Sequence, residues 1–194
     1  MKNRNSKLAA IFSLTLVLAA VSSHAADSDD GPWTTAGSVG TVESGPVRFF
    51  QGMANISTLM PEGTTVIRYN ISATGAVIGD IRSNQALRLD AKIRVPGDHA
   101  RVRAFVMESS LSNGSNSTLV AFDSHEAELR DDLLPHEYQV VMAPLAEGLQ
   151  DLDFQNNVYY LEVWLTKDGA GLGPGFGGAS LRIVNASKWS TQSP

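Results

Sequence analysis

A strict alternation of apolar and polar residues is the feature that most limits how this chain can fold. Residues 86–95 show it best, because every second side chain is apolar and most of those between are charged. Successive side chains of a β-strand point to opposite faces, so the pattern predicts a strand with one buried and one solvated face. The same period of two recurs at residues 66–73, 101–108 and 159–167. Each such strand must bury its apolar face against another layer.

Turn-forming residues separate these segments. An Asn-Gly pair at residues 113–114 supplies the positive φ angles of a tight hairpin turn. Pro-Gly-Asp at residues 96–98 and Pro-Glu-Gly at residues 61–63 are further turn sequences. Residues 124–134 lack the period of two, and they are read either as a single helical turn capped by Ser124 or as an acidic loop.

Short strands joined by frequent turns predict an all-β domain. We expect an antiparallel two-sheet β-sandwich of jelly-roll-like order, with about eight strands and little helix, in preference to a closed barrel. The pattern does not give the order of the strands. The remaining strand candidates are residues 46–56, 118–123, 138–143 and 179–184.

The first 25 residues have the three parts of a cleavable signal peptide. Basic residues (Lys2, Arg4 and Lys7) precede an apolar run at residues 8–21, and small residues follow up to Ala25. The alternative is a membrane anchor, but this run of 14 residues, apolar apart from Ser13 and Thr15, is shorter than the ~20 that a membrane helix needs. We therefore expect an exported protein, periplasmic or extracellular, with no integral membrane segment after cleavage.

The rest of the chain divides into three parts by composition. Residues 26–45 are poor in apolar side chains and are expected to form an N-terminal arm, partly ordered if Trp33 finds a pocket. Residues 46–185 contain the strand patterns and form the β-sandwich domain. Residues 186–194 form a polar C-terminal tail.

Charge and cysteine content narrow the choice of partners. The chain has 15 basic and 20 acidic residues, and removal of three basic residues with the signal peptide changes the net charge from −5 to −8. An acidic protein is repelled by nucleic acid and by anionic lipid, so nucleic acid is not expected as a partner. The chain has no cysteine, which excludes disulfides and a lipid-modified cysteine.

A polar and aromatic face is the first candidate for ligand binding. Aromatic rings beside arginines suit a sugar ring or a protein partner, whereas the alternative is a solvated face with cross-strand ion pairs. Phe176 lies in the glycine-rich segment 168–178, which we expect to be a long mobile loop between the last two strands, or a loop that closes over a ligand. The proposed ligand-binding residues are Arg88, Arg103, Tyr160, Trp164 and Phe176. Further residues on the solvent-facing sides of the strands are Arg68, Arg94 and Arg101.

Calcium is the one metal that the sequence suggests. Asp151, Asp153 and Asn157 belong to a run of oxygen-bearing side chains spaced as in an EF-hand loop, but Asn156 stands where that loop has glycine. A looser calcium site in a β-sandwich loop is one interpretation. The other is a polar turn in which Asn156 or Asn157 has the left-handed conformation, and no other cofactor is expected.

Catalytic patterns are weak. Asp90 and Glu162 are the least implausible pair for carboxylate chemistry, because both lie on wet strand faces. We expect an exported, non-catalytic β-sandwich protein that binds a partner or assembles outside the cytoplasm, with homo-oligomerisation through sheet edges as one route. The partner is a protein or a carbohydrate. The alternatives are a glycan-binding module, with or without calcium, and a small carboxylate-dependent hydrolase or isomerase.

The signal peptide gives a direct prediction. Expression in an export-competent bacterium should yield a protein that begins at Ala26, or at Asp27 if cleavage follows Ala26. Mass spectrometry of the intact product measures this. Ala25→Arg removes the small residue at the cleavage point and should leave the longer chain, whereas Lys7→Arg should be processed normally. An unprocessed wild-type chain in the membrane fraction would support the anchor instead.

Overall fold

The computed structural model describes residues 33–73, 85–143 and 152–185, and the predicted signal peptide and C-terminal tail lie outside these ranges. The described residues form eleven strands and one short 3₁₀ turn (Gly37–Val39). The strands are β1 (Trp33–Ala36), β2 (Thr41–Ser44), β3 (Arg48–Phe50), β4 (Met53–Asn55), β5 (Gly63–Ile71), β6 (Gln85–Arg94), β7 (Ala100–Ser110), β8 (Asn116–Asp123), β9 (Gln139–Ala143), β10 (Asn157–Lys167) and β11 (Gly175–Asn185).

The strands form two antiparallel sheets. The first, sheet A, has the order β3-β4-β11-β6-β9, and the second, sheet B, has the order β2-β5-β10-β7-β8. One edge of β11 pairs with β6, while the other edge pairs first with β4, at Gly175 and Phe176, and then with β1, from Gly178 to Leu181. The predicted all-β sandwich of two antiparallel sheets is confirmed, with eleven strands in the described residues in place of about eight.

The core lies between the two sheets, where the apolar halves of the alternating strands meet. Leu87, Leu89, Ala91 and Ile93 of β6 are at most 1% exposed, as the alternation in this segment predicts. At the centre, the rings of Tyr69 and Phe176 lie 5.2 Å apart and join β5 of sheet B to β11 of sheet A. Burial of each large side chain stabilises the fold by about 1.5–3 kcal/mol.

The segment read as an N-terminal arm contributes one strand to each sheet. β1 adds to sheet A and β2 to sheet B, and Trp33 is only 6% exposed. The chain crosses between the sheets at Gly37, whose carbonyl accepts a hydrogen bond of 2.7 Å from the buried Tyr69 hydroxyl. The sandwich therefore includes residues from Trp33 onward, because these short strands gain backbone partners although they show no apolar alternation.

A buried lysine fixes the loop that follows β4. Lys167, at the end of β10, is 2% exposed, and its ammonium group donates hydrogen bonds to three backbone carbonyls. The acceptors are Met60 at 2.9 Å, Thr58 at 3.2 Å and Ser57 at 3.3 Å. An ammonium group has three donors, so this arrangement satisfies all of them within the fold.

The connection between β8 and β9 is an acidic loop, which is one of the two interpretations of residues 124–134. Ser124 does not cap a helix: its hydroxyl accepts a hydrogen bond of 2.9 Å from the backbone N–H of Val102. Across the described ranges, no helix has the length and apolar character needed to cross a membrane.

Gly37 gives a prediction for the crossing between the sheets. A Cβ atom at this position would overlap the Phe176 carbonyl and lie 2.9 Å from the Ala54 nitrogen. Both are backbone atoms held in sheet A, so Gly37→Ala should destabilise the fold by about 3 kcal/mol or prevent folding. Gly177→Ala is the control, since its Cβ meets the flexible Lys92 side chain at 3.0 Å and should cost less than ~1 kcal/mol. Equal losses in urea unfolding would contradict this account.

Lys167 gives a second prediction. Lys167→Met keeps the length of the apolar stem but leaves three carbonyls without a donor, so the free energy of unfolding should fall by about 3 kcal/mol. Lys92→Met removes the same charge from an exposed position on β6 and should change stability by less than ~1 kcal/mol. Urea denaturation followed by circular dichroism measures both. A neutral effect of Lys167→Met would show that the three bonds do not stabilise the fold.

Candidate functional site

Three of the predicted ligand-binding residues lie together on the outer face of sheet B. Trp164 of β10 is the cross-strand partner of Arg103 of β7, and the guanidinium carbon lies 4.5 Å from the indole centroid. Phe105 packs edge-on against Trp164 with ring centroids 5.9 Å apart. Tyr160 is four residues before Trp164 and shares its strand face. We call Arg103, Phe105, Tyr160 and Trp164 the aromatic platform.

The platform is already occupied by its own polar contacts. Glu162, 9% exposed, accepts hydrogen bonds from Trp164 Nε1 at 2.6 Å and from Arg68 Nε at 2.8 Å. The Arg68 guanidinium lies 5.1 Å from the Tyr160 ring centroid. A ligand on this face would have to displace guanidinium groups from aromatic rings, so the contacts favour the cross-strand network over an open binding surface.

The other two predicted residues do not join the platform. Arg88 lies on β6 of sheet A, where it forms an ion pair of 2.7 Å with Asp90. Phe176 is fully buried against Tyr69, because β11 begins at Gly175 and the connecting loop is shorter than residues 168–178. A side chain in the core cannot touch a ligand outside it, so Phe176 is corrected from ligand contact to core residue.

The proposed carboxylate pair is also separated. Asp90 lies on the outer face of sheet A, and Glu162 lies on the outer face of sheet B, with the core between them. Paired carboxylates of a glycosidase flank one bond at most ~10 Å apart. Residues on opposite sides of a sandwich cannot do this, since stacked sheets are already about 10 Å apart before the side chains point away.

The predicted calcium segment forms a polar turn. The Asp153 carboxylate accepts hydrogen bonds from the Asn156 side chain at 2.7 Å and from the Gln155 N–H at 3.0 Å, and these bonds hold its pKa below the usual range. Asn157 donates to the Tyr159 hydroxyl at 3.3 Å, and neither Asn156 nor Asn157 has a positive φ. Asp151 lies outside the described residues, within which no metal-binding cluster is found.

A cleft of about 400 Å³ opens at one end of sheet A. One residue from each of the strands β3, β4, β11 and β6 forms a row across the sheet at the cleft. In this row the successive cross-strand partners are Arg48, Asn55, Gly175 and Arg94. The β8–β9 connection adds two ring-bearing side chains at its end. The described residues lining the cleft are Arg48, Phe50, Gln51, Met53, Asn55, Ser57, Arg94, His136, Tyr138 and Leu172.

Gly175 makes room for the hydrogen bond at the floor of this row. The Tyr138 hydroxyl donates to Asn55 Oδ1 directly above it, and a Cβ atom on Gly175 would collide with both groups. Burial raises the pKa of Tyr138, although the nearby Arg94 charge and the bond to Asn55 act in the opposite direction. The phenol is therefore a neutral donor that orients Asn55, whose side-chain N–H₂ remains available to a ligand.

The walls of the cleft combine exposed aromatic surface with cations. Phe50 is 52% exposed, and the Arg48 guanidinium lies 5.5 Å from its ring centroid. Opposite, Arg94 and Lys92 lie 5.3 and 5.7 Å from the Tyr138 ring centroid. Burial lowers the pKa of Arg94 from its usual value, although an arginine remains charged. We call the space between Phe50 and Tyr138 the basic cleft.

A larger hollow of about 550 Å³ lies beside the β8–β9 connection. Its charged side chains have both signs, and Arg130 is already paired with Asp132 at 2.7 Å. No Phe, Tyr or Trp is present among the described residues that line it. The basic cleft has an exposed phenyl ring beside two arginines that have no carboxylate partner among the described residues, and it is the better candidate site.

The sequence did not predict Phe50, Asn55 and Tyr138 as site residues. Phe50 and Asn55 belong to strands of three residues, which are too short to show an alternation. Tyr138 immediately precedes β9, and only the fold brings it to the other two. The alternation did place Arg94 on a solvent-facing side of its strand. The glycines at 173, 175 and 177 could also have indicated close packing.

Comparisons with known proteins give structural neighbours alone. No protein-family model matches the chain, and no curated protein matches it. One solved structure that matches belongs to a study of carbohydrate-binding modules with promiscuous specificity from the β-sandwich superfamily. It is 11% identical to this chain in sequence, with a TM-score of 0.42, and the match covers 79% of this chain and 56% of that chain. This chain thus spans about half the length of that structure.

Two further neighbours are single modules. A family 30 carbohydrate-binding module is 15% identical, with a TM-score of 0.39 and coverage of 80% of this chain and 95% of that chain. A family 11 module from Clostridium thermocellum, in complex with a mixed-linked tetrasaccharide, is 12% identical, with a TM-score of 0.36 and coverage of 78% and 87%. At such TM-scores these likenesses do not indicate what this chain binds, and the two-sheet architecture rests on its own strand pairing.

Proposed function

We propose that the protein is an exported binding module, not an enzyme, and that it binds a glycan in the basic cleft. The observation that carries this proposal is the half-exposed Phe50 ring at the side of a cleft that is also lined by the hydrogen-bond donors of Arg48, Asn55 and Arg94. Export is supported by the basic, apolar and small-residue order of the first 25 residues.

A glycan suits this arrangement for two physical reasons. A sugar ring has an apolar C–H face that stacks on an aromatic ring, and Phe50 offers such a surface to solvent. Its hydroxyl groups need donors and acceptors in fixed positions, which Asn55, Gln51 and Arg94 provide at the cleft. Phe50, Asn55 and Arg94 stand on strands, so the ligand would meet groups that are already positioned.

The size and shape of the cleft agree with a small-ligand site. Its volume of about 400 Å³ falls within the ~300–1,000 Å³ typical of ligand pockets. It opens at the end of the sheet, so a longer chain can extend into solvent on either side of the bound unit. Binding requires no reacting group, and none of the cleft residues named above is assigned a catalytic role.

Assembly through a sheet edge is a second candidate function, and one observation favours it. Among the described strands, β9 lies at an edge of sheet A, and it presents Val140 at 66% and Met142 at 51% exposure. An exposed apolar edge strand pairs readily with another strand. Light scattering of the processed protein tests this: a concentration-dependent dimer that Val140→Lys abolishes would support it, and a monomer at high concentration would exclude it.

The glycan proposal predicts that the cleft and the platform respond differently to mutation. Phe50→Ala should weaken glycan binding by about 5- to 30-fold, since loss of ring stacking is worth about 1–2 kcal/mol. It should leave stability nearly unchanged because the ring is half exposed. Trp164→Ala removes a larger ring from the aromatic platform and should leave glycan affinity unchanged.

A glycan microarray followed by calorimetric titration measures these effects. Titration with and without EDTA tests the calcium-assisted version, in which chelation would weaken binding. If Trp164→Ala abolishes binding and Phe50→Ala does not, the ligand lies on the platform instead. The proposal fails if the processed, folded protein binds no glycan on the array.

A further inference from the structure

We infer that the glycan is acidic, and that a carboxylate or sulfate group on it binds between Arg48 and Arg94 in the basic cleft. This inference rests on the proposed function and specifies the class of glycan.

Most arginines in the described ranges already have a partner within the fold. Among the eight arginines in the described ranges, five form ion pairs with carboxylates: Arg68, Arg88, Arg101, Arg130 and Arg182. Arg103 has its guanidinium against Trp164 on the platform. The remaining two, Arg48 and Arg94, have no carboxylate partner among the described residues, and both line the basic cleft. The acid-free arginines are thus concentrated at one site.

Arg94 is the stronger of the two indications. Its guanidinium is partly buried, and within the described part of the chain it donates one hydrogen bond, from Nη2 to the Gly173 carbonyl at 3.1 Å. A partly desolvated cation without a counter-ion is costly, and an anion that arrives with a ligand removes that cost.

The charge around the cleft contrasts with the charge of the protein. The chain has 20 acidic and 15 basic residues, yet no acidic side chain is present among the described residues that line the cleft. Lys92 and His136 add a further ammonium group and an imidazole beside Tyr138. A locally basic cleft on an acidic protein attracts an anion to this site and repels it elsewhere.

The strand register places Arg48 and Arg94 on either side of the Tyr138–Asn55 hydrogen bond. Arg48 on β3 and Arg94 on β6 stand in one row, with Asn55 and Gly175 between them. Three strand spacings separate their backbones by ~14 Å. The Tyr138 hydroxyl and the Asn55 side chain fill the space over Gly175, so an oxyanion would lie above this hydrogen-bonded pair. Two long arginine side chains can reach it there, each with the planar donor geometry that carboxylate and sulfate accept.

The same geometry explains why the anion should be part of a sugar. The Arg48 guanidinium lies 5.5 Å from the Phe50 ring centroid, so the anion site and the stacking surface are adjacent. A ring that stacks on Phe50 and has a charged substituent uses both at once. A free inorganic anion would use the guanidinium groups alone and would gain nothing from the exposed ring.

The test uses polymers matched in backbone and different in charge. Calorimetric titration of the processed protein compares polygalacturonate with its fully methyl-esterified form, and dextran sulfate with dextran. We expect at least tenfold tighter binding of the charged member of one pair, and the pair that responds identifies carboxylate or sulfate as the anion. Arg48→Gln and Arg94→Gln should each remove most of this preference while leaving the affinity for the uncharged member in place.

Two controls separate the cleft from general electrostatics. Arg130→Gln makes the same change in net charge at an exposed loop position and should keep the full preference. Phe50→Ala should weaken the binding of the charged polymer and of the uncharged polymer to the same degree. Sodium sulfate at equal ionic strength to sodium chloride should compete no better than the chloride.

The outcomes distinguish this inference from the proposed function. Equal binding of charged and uncharged members overturns the acidic preference and leaves glycan binding intact. Binding of neither charged polymer also overturns it, whatever neutral glycans bind on the array. If sulfate displaces the polymer specifically and Phe50→Ala has no effect, the cleft is a site for a free anion and not for a sugar.

Discussion

The close approach of neighbouring chain segments to the start of β11 is the constraint on which the rest of this structure depends. Gly173 leaves no side chain where Ile56 packs, and Gly175 leaves none where Tyr138 and Asn55 meet. At Gly178, with φ of +131°, the space that a Cβ would need is taken by the Thr35 carbonyl. These positions let β11 pair with β4 and β1 along one edge and with β6 along the other. This pairing joins the strands of sheet A and forms the floor of the basic cleft.

The same segment shows where prediction from the sequence was wrong. Six glycines in residues 168–178 remove the apolar alternation that marks a strand, and glycine is also the usual sign of a loop. The chain uses them here for packing, since a glycine within a strand permits another backbone to come close. By contrast β6, β7 and β10 are 10 or 11 residues long, and their alternation predicted both their existence and their buried faces.

Outward-facing side chains were predictable where they lie on long strands. Alternation placed Arg103, Tyr160 and Trp164 on wet faces, and the fold puts them on one sheet. It did not distinguish the two sheets, so Arg88 was grouped with residues on the opposite side of the sandwich. The basic cleft draws on β3, β4, β6 and the β8–β9 connection, and this convergence follows from strand order, which a single sequence does not contain.

Lys167 does not line the basic cleft, but it holds the loop that contributes Ser57 to it. Three carbonyl oxygens around a cation are the ligands that a bound calcium ion would take, and here the chain supplies the cation from its own strand. Ser57, one of the three, is also a wall residue of the basic cleft. These bonds hold that wall in place from within the fold, so less entropy is lost when a ligand binds there.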